Sequence, residues 1–201
     1  MIAIIDYDAG NMKSVQKALD YLGADYTVTR DVEKLRAADK LILPGVGAFG
    51  DAMNALNSFG LTGEIKNLVK SGKPILGICL GMQILFEQSE ETPGVEGLSL
   101  LPGRVVRFSD SYGLKIPQIG WNSIHLPRES KLFAGIKEDS YVYFVHSYYV
   151  KAADENIVAA DCEYGDHVHA AVESGNIYAC QFHPEKSSDV GLAILKNYID
   201  L

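Results

Sequence analysis

The sequence predicts an α/β protein: a doubly wound domain with a central, mostly parallel sheet and antiparallel additions in its C-terminal half. Three observations predict it. Through the first 80 residues, short apolar runs alternate with segments of helical spacing, the pattern of a parallel sheet covered on both faces. From about residue 105 the strand-like runs follow one another across short turns, as antiparallel strands do. The chain then closes on a segment with apolar residues along one helical face.

Taken in order, residues 1–6 (MIAIID) form an apolar run ended by polar residues and Gly10, which reads as a buried strand. Val15, Ala18, Leu19 and Leu22 share a helical face, with Gly23 as the stop. Residues 26–30 give a second strand and residues 41–43 a third, ended by Pro44-Gly45. Two helical stretches follow, one carrying Ala52, Leu56 and Phe59, the other Leu61, Ile65, Leu68 and Val69. Gly72 and Pro74 punctuate before a fourth strand at 75–78, and a helix starts at about Leu80. Strand-like runs at 105–108, 141–146, 157–162, 168–172 and 177–182 are the expected antiparallel additions. The last helix starts at about Asp189, with Val190, Ile194, Tyr198 and Leu201 on one face and Ser187 or Ser188 as its cap.

A length of 201 residues fits one domain, taken as 1–201, with a sizeable core. Hydrophobic residues make up 47% and charged residues 22%, ordinary values for a globular protein. No apolar run is long enough to span a bilayer, and the N-terminal stretch has neither a basic region nor a cleavage site, so no signal peptide is expected. A net charge of −8 argues against general nucleic-acid binding, which needs a basic face. Three cysteines, Cys79, Cys162 and Cys180, are an odd and sparse set, which suggests a reducing, cytoplasmic setting and no disulfide framework. Cys162 and Cys180 lie in strand-like runs and read as small core residues.

In open parallel sheets, ligands bind beyond the carboxyl ends of the strands. Those ends are marked here by Gly10-Asn11 after the first strand, PGVG (44–47) after the third, and Cys79 after the fourth. Gly77-Ile78-Cys79-Leu80-Gly81, between a strand and a helix, has the form of a nucleophile elbow. The turn projects the side chain clear of the sheet, and flanking glycines let the backbone approach closely. The following helix N-terminus points unpaired amides at the sulfur, which favours the thiolate. The Leu80 amide would face an oxyanion formed on a group attached there. Gln83, about one helical turn on, shares the face above Cys79. By itself the elbow leaves two readings open, a nucleophile or a buried structural thiol.

A nucleophile needs a base, and a base needs an orienter. Of the five histidines, His183 ends an apolar strand, Pro184 bars further ladder pairing, and Glu185 is near enough to fix the imidazole tautomer. His167 and His169 alternate on a strand beside acidic residues. With no third ligand evident they read as solvated positions, not a metal site. His146, in an aromatic run (143–149), reads as strand packing, and His125 takes no role.

The stretches "PGVGAFG" (44–50), "GICLGMQ" (77–83) and "QFHPEKS" (181–187) resemble the three hallmark motifs of class I, triad-type glutamine amidotransferases. "DYDAGN" (6–11), "LGMQILFEQSEE" (80–91), "PQIGWN" (117–122) and "YFVHSYY" (143–149) further resemble the glutaminase subunits of imidazole glycerol phosphate synthases, over nearly the whole chain. The resemblance implies a single flavodoxin-like domain that hydrolyses glutamine with no metal or organic cofactor. Cys79 would be the nucleophile, His183 the base and then the acid, and Glu185 its orienter. Val46, Gly47 and Leu80 would form the oxyanion hole, and Gly45 and Gln83 would bind substrate. The implied partner is a (β/α)8-barrel cyclase subunit, forming a heterodimer that takes up the ammonia for histidine biosynthesis. Asn11, Trp121, Asn122, Tyr143 and Lys186 match positions that line or gate that interface. The glycines of PGVG would let an oxyanion amide stay misaligned until the partner turns it. Three alternatives stand beside this: the glutaminase subunit of a synthase for anthranilate or pyridoxal phosphate, a non-catalytic redox sensor of the same fold, and a peptidase.

Overall fold

The computed structural model describes residues 1–8 and 10–201. The N-terminal half alternates, with two helices in a row between β3 and β4: β1 (Ile2–Ile5), α1 (Met12–Tyr21), β2 (Tyr26–Thr29), α2 (Val32–Ala37), β3 (Lys40–Gly45), α3 (Phe49–Ser58), α4 (Leu61–Lys70), β4 (Ile75–Cys79) and α5 (Leu80–Gln83). Short strands follow: β5 (Gln88–Ser89), β6 (Gly103–Arg107), β7 (Gln118–Ile124), β8 (Ser140–His146), β9 (Tyr148–Ala152), β10 (Val158–Tyr164), β11 (Asp166–Ser174) and β12 (Ile177–Cys180). The chain ends in α6 (Ser188–Asp200).

Seven strands form the central sheet in the order β10-β11-β12-β4-β3-β1-β2. The run from β2 to β12 is parallel throughout, and β11 and β10 extend it antiparallel. The expected antiparallel additions are therefore present, with one correction: β12 joins β4 in parallel. A strand that must carry the histidine motif to the same sheet edge as Cys79 has to run in the same direction as β4. Two small sheets, β5-β6-β9 and the β7–β8 hairpin, pack outside the main one.

The strands separate two cores by their two-residue side-chain period. Ala3, Ile5, Leu41, Leu43 and Ile75 face one side, where α2, α3 and α4 cover them with Leu35, Leu56, Ile65 and Leu68. Ile2, Ile4, Ile42, Leu76 and Ile78 face the other, under α1, α6 and the β7–β8 hairpin. Cys162 and Cys180 are buried in this second core, as expected.

Two helix expectations need correction. The segment after Cys79 is helical only over Leu80–Gln83, so its dipole adds little, and the local amides act individually. Ser187 precedes α6 but does not cap it through its hydroxyl, which donates to the His183 carbonyl and accepts from the Tyr143 N–H. The apolar face of α6 is set by Gly191, Ile194, Leu195 and Tyr198, while Leu201 is exposed. No helix among the described residues is long and apolar enough to cross a membrane.

Candidate active site

The carboxyl ends of β1, β3, β4 and β12 bring the expected residues to one edge of the sheet. Pairing of Gly45 with Cys79, and of Cys180 with Ile78, fixes the height of each strand end. Cys79 has φ +55° and ψ −111°, a conformation costly for a residue with a Cβ, on the order of 1–3 kcal/mol. The turn is possible because its glycines let backbone pass backbone. A Cβ on Gly81 would lie 1.8 Å from the Leu43 carbonyl oxygen, and one on Gly77 would lie 2.8 Å from that of Gly81. A Cβ on Gly45 would meet the Tyr7 hydroxyl at 2.4 Å. That hydroxyl donates to the Pro44 carbonyl at 2.7 Å and braces the PGVG strip from below.

His183 is buried, and its Nδ1 hydrogen-bonds Glu185 Oε1 at 2.8 Å. The same carboxylate oxygen accepts from Asn11 Nδ2 at 2.7 Å, while Glu185 Oε2 has no partner among the described residues. His183 Nε2 also has no hydrogen-bond partner among the described residues, and the Cys79 thiol is an ionisable neighbour of the ring. Burial alone would lower the imidazole pKa. The neighbouring Cys79 and Glu185 side chains overcome burial and raise it to about 9. The arrangement favours an imidazolium at His183.

A cavity of about 310 Å³ opens over the sulfur. Val46, Gly47, Cys79, Leu80, Gln83, Glu91, His146 and His183 are among the residues that line it. Gly47 sits at φ +98°, the left-handed region that favours glycine. Among the described residues, no loop or turn carbonyl accepts from the N–H of Gly47 or Leu80.

Three residues in or beside this cavity were not singled out from sequence. Glu91 is the acidic lining residue, held by the Phe49 N–H at 2.7 Å. His146 is more than strand packing: Nδ1 meets the Tyr148 carbonyl at 2.8 Å and Nε2 the Gln118 amide at 3.0 Å. Burial pushes its pKa down to about 4, so it stays neutral beside the imidazolium. Gln181 is fully buried and donates to Cys79 Sγ at 3.6 Å. A polar residue two positions before His183 on a strand otherwise buried was its sequence signal.

The expected interface residues divide. Trp121 is 52% exposed and meets Tyr143 edge to face at 6.1 Å across the hairpin. Lys186 Nζ lies 5.9 Å from the Tyr143 ring centroid. Asn11 donates to Glu185 Oε1 through its side-chain amide. Asn122, next to Trp121 on the strand, points to the opposite face and donates to the Glu163 carbonyl at 3.0 Å. His169 departs from the expected solvated position: it is buried and accepts from the Ala152 N–H, whereas His167 is exposed beside Glu163.

This site, on this sheet, defines a class of protein. The family model for glutamine amidotransferase class-I matches residues 3–200, and the chain belongs to that family. It is 52% identical to the imidazole glycerol phosphate synthase subunit HisH of Halalkalibacterium halodurans, over 98% of this chain and 94% of that one. It is 50% identical to the subunit of the same name from Methanothermobacter thermautotrophicus, over 100% and 98%. In fold it is similar to a crystal structure of a glutamine amidotransferase, with TM-score 0.77 and 22% identity over 99% and 97% of the two chains. It is likewise similar to PurLQS from Thermotoga maritima, with TM-score 0.75 and 23% identity over the same shares.

Proposed function

We propose that the chain is the glutaminase subunit of an imidazole glycerol phosphate synthase and that Cys79, His183 and Glu185 perform its chemistry. The carrying observation is Cys79 at a strained elbow, in a cavity it shares with His183, whose far nitrogen is fixed by buried Glu185.

In this reading the Cys79 thiolate attacks the side-chain amide carbon of glutamine. The carbonyl oxygen becomes an oxyanion facing the Leu80 N–H and an amide of the Val46–Gly47 strip. His183, protonated through Nε2, gives its proton to the departing nitrogen, ammonia leaves, and a thioester to Cys79 remains. Water then attacks the thioester with His183 as base. Glutamate departs and the thiol is restored. Gln83 holds the substrate, Gly45 leaves room for it, and Glu91 offers a carboxylate to the substrate ammonium. No step needs a metal or organic cofactor.

The partner is a cyclase subunit with a (β/α)8 barrel, docked over the edge that carries the triad, so that ammonia passes without meeting bulk water. The exposed Trp121, with Tyr143 and Lys186 beside it, supports this placement, since aromatic residues on an exposed hairpin suit an interface core. Asn11 and Asn122 act there through what they hold, Glu185 and β10. The positive φ of Gly47 and the exposure of Val46 support a strip whose peptide is turned when the partner is liganded. A small biosynthetic enzyme with three free cysteines suits the cytoplasm.

The test is glutamate release from glutamine by the purified chain, alone and with the cognate cyclase subunit and its nucleotide ligand. Strong stimulation is expected in wild type and none in Cys79→Ala, while the cyclase still runs on ammonium salt. Equal hydrolysis with and without liganded partner would refute the gating, and activity in Cys79→Ala would refute the triad.

A further inference from the structure

Gln181 is 0% exposed and carries a primary amide, so each of its polar groups needs a partner inside the protein. Its backbone N–H is paired with the Ala170 carbonyl at 2.8 Å, which leaves the side chain free for another task. The side chain connects two residues of the site: Nε2 donates to Cys79 Sγ at 3.6 Å, and Oε1 accepts from Gln83 Nε2 at 3.0 Å. Gln83 Nε2 also donates to the Tyr148 carbonyl at 3.0 Å.

These contacts have one consistent polarity. An amide NH2 has two donors, and both of those on Gln83 are engaged by Gln181 and Tyr148. Turning Gln83 over would set its oxygen against two acceptors. Turning Gln181 over would set its oxygen against the sulfur and its NH2 against that of Gln83. Each amide therefore fixes the other. Two consequences follow: the sulfur receives an N–H, which favours its anionic form, and Gln83 turns its oxygen, an acceptor, toward the cavity it lines.

We propose that Gln181 is a positioning residue that orients Cys79 and Gln83 together, so that nucleophile and substrate clamp are set by one buried amide. This rests on Cys79 being the nucleophile. The substrate group that Gln83 receives must then be a donor, either an ammonium or an amide NH2.

The test uses the full chain, alone for thiol chemistry and with its cyclase partner for turnover. Gln181→Glu keeps the acceptor for Gln83 but replaces the donor on sulfur with an acid. Gln181→Met keeps the length and removes both functions. The readout is the rate of Cys79 alkylation by iodoacetamide between about pH 5 and 10, followed on the Cys79 peptide by mass spectrometry. In Gln181→Glu the alkylation profile is expected to move up by about one pH unit, roughly tenfold less thiolate at its foot, with KM for glutamine near wild type. In Gln181→Met the profile is expected to move up as well, and KM to rise about tenfold, since Gln83 is no longer held. If either variant fails to fold, Gln181→Asn withdraws the amide by one methylene and takes its place. Unmoved profiles in folded variants would overturn the proposal. Because alkylation is read without turnover, that outcome is distinct from failure of the nucleophile itself, which would appear as glutaminase activity in Cys79→Ala.

Discussion

Gly81→Ala puts the construction of the elbow to a direct test. Gly81 lies in α5, and on helix propensity alone alanine is the better residue by up to about 1 kcal/mol. The packing predicts the opposite sign. The added Cβ would lie 1.8 Å from the Leu43 carbonyl oxygen and 2.9 Å from its carbon. Real Cβ contacts essentially never fall below 3.0 Å, so the separation must grow by at least 1.2 Å. Both sides of the contact are backbone, and neither can swing away. Leu43 is in β3, one residue before Pro44-Gly45, and pairs with Gly77 of β4. The displacement therefore goes straight into the strip proposed to hold the oxyanion. Overpacking of this kind costs about 1–3 kcal/mol, which for a chain of this size lowers Tm by roughly 2–12 °C. A misplacement of about 1 Å in a reacting geometry costs on the order of 10²-fold in rate. The assay is thermal unfolding by circular dichroism together with kcat/KM for glutamine in the assembled complex. A variant with unchanged Tm and unchanged kcat/KM would refute the reasoning, because it would mean that β3 and α5 are not held apart by the missing side chain.

Two further predictions concern charge and surface. His183 has its pKa raised to about 9 in the folded chain from an ordinary 6.5, so its contribution is full below about pH 6.5 and is lost as pH rises through 9. Wild type is expected to lose up to about 3 kcal/mol across that window, and Glu185→Gln to lose less, because its imidazole gives up the proton earlier. Urea midpoints between about pH 6.5 and 10 check this, and parallel slopes for the two proteins would contradict it. Trp121→Ala removes a half-exposed ring that meets Tyr143 edge to face. Its Tm is expected to stay within a few degrees of wild type while affinity for the cyclase subunit falls at least tenfold. Titration calorimetry would show the fall, and unchanged affinity would remove Trp121 from the interface.

How much of this was legible in the sequence depended on range. The parallel half was readable except for α2, whose six residues bury only Leu35 and show no period, because each strand is a short apolar run bounded by glycine, proline or acid and the longer helices carry their own period. The elbow and the strand-end histidine were readable because their chemistry is local. Strands β7 and β9 were not assigned: Gln118–Ile124 breaks the apolar-in, polar-out pattern, because the apolar Ile119 and Trp121 are exposed while the polar Gln118 is buried. The parallel sense of β12 was not predicted, because strand direction follows from the topology of the whole sheet and not from the run itself. Gln181, His146 and Glu91 escaped because their roles depend on partners 28 to 102 residues away.

These partners also explain how a strained thiol turn persists. The cost of holding Cys79 at positive φ must be met by neighbours that leave the backbone no alternative. Four constraints converge on it. The β4 ladder holds Gly77 and Ile78 from both sides through β3 and β12. Gly81 is pressed against Leu43. Tyr7 fixes Pro44 from beneath. Gln181 reaches the sulfur from just beyond the end of the neighbouring strand β12. Each comes from a different segment, so removing one leaves the others to resist the turn relaxing. The PGVG strip above is held differently: Pro44 and Gly45 are within the sheet, whereas Val46 and Gly47 lie beyond its last paired residue. The sulfur is thus fixed where it must aim, while the proposed oxyanion donor sits at the first position where the backbone is free to turn.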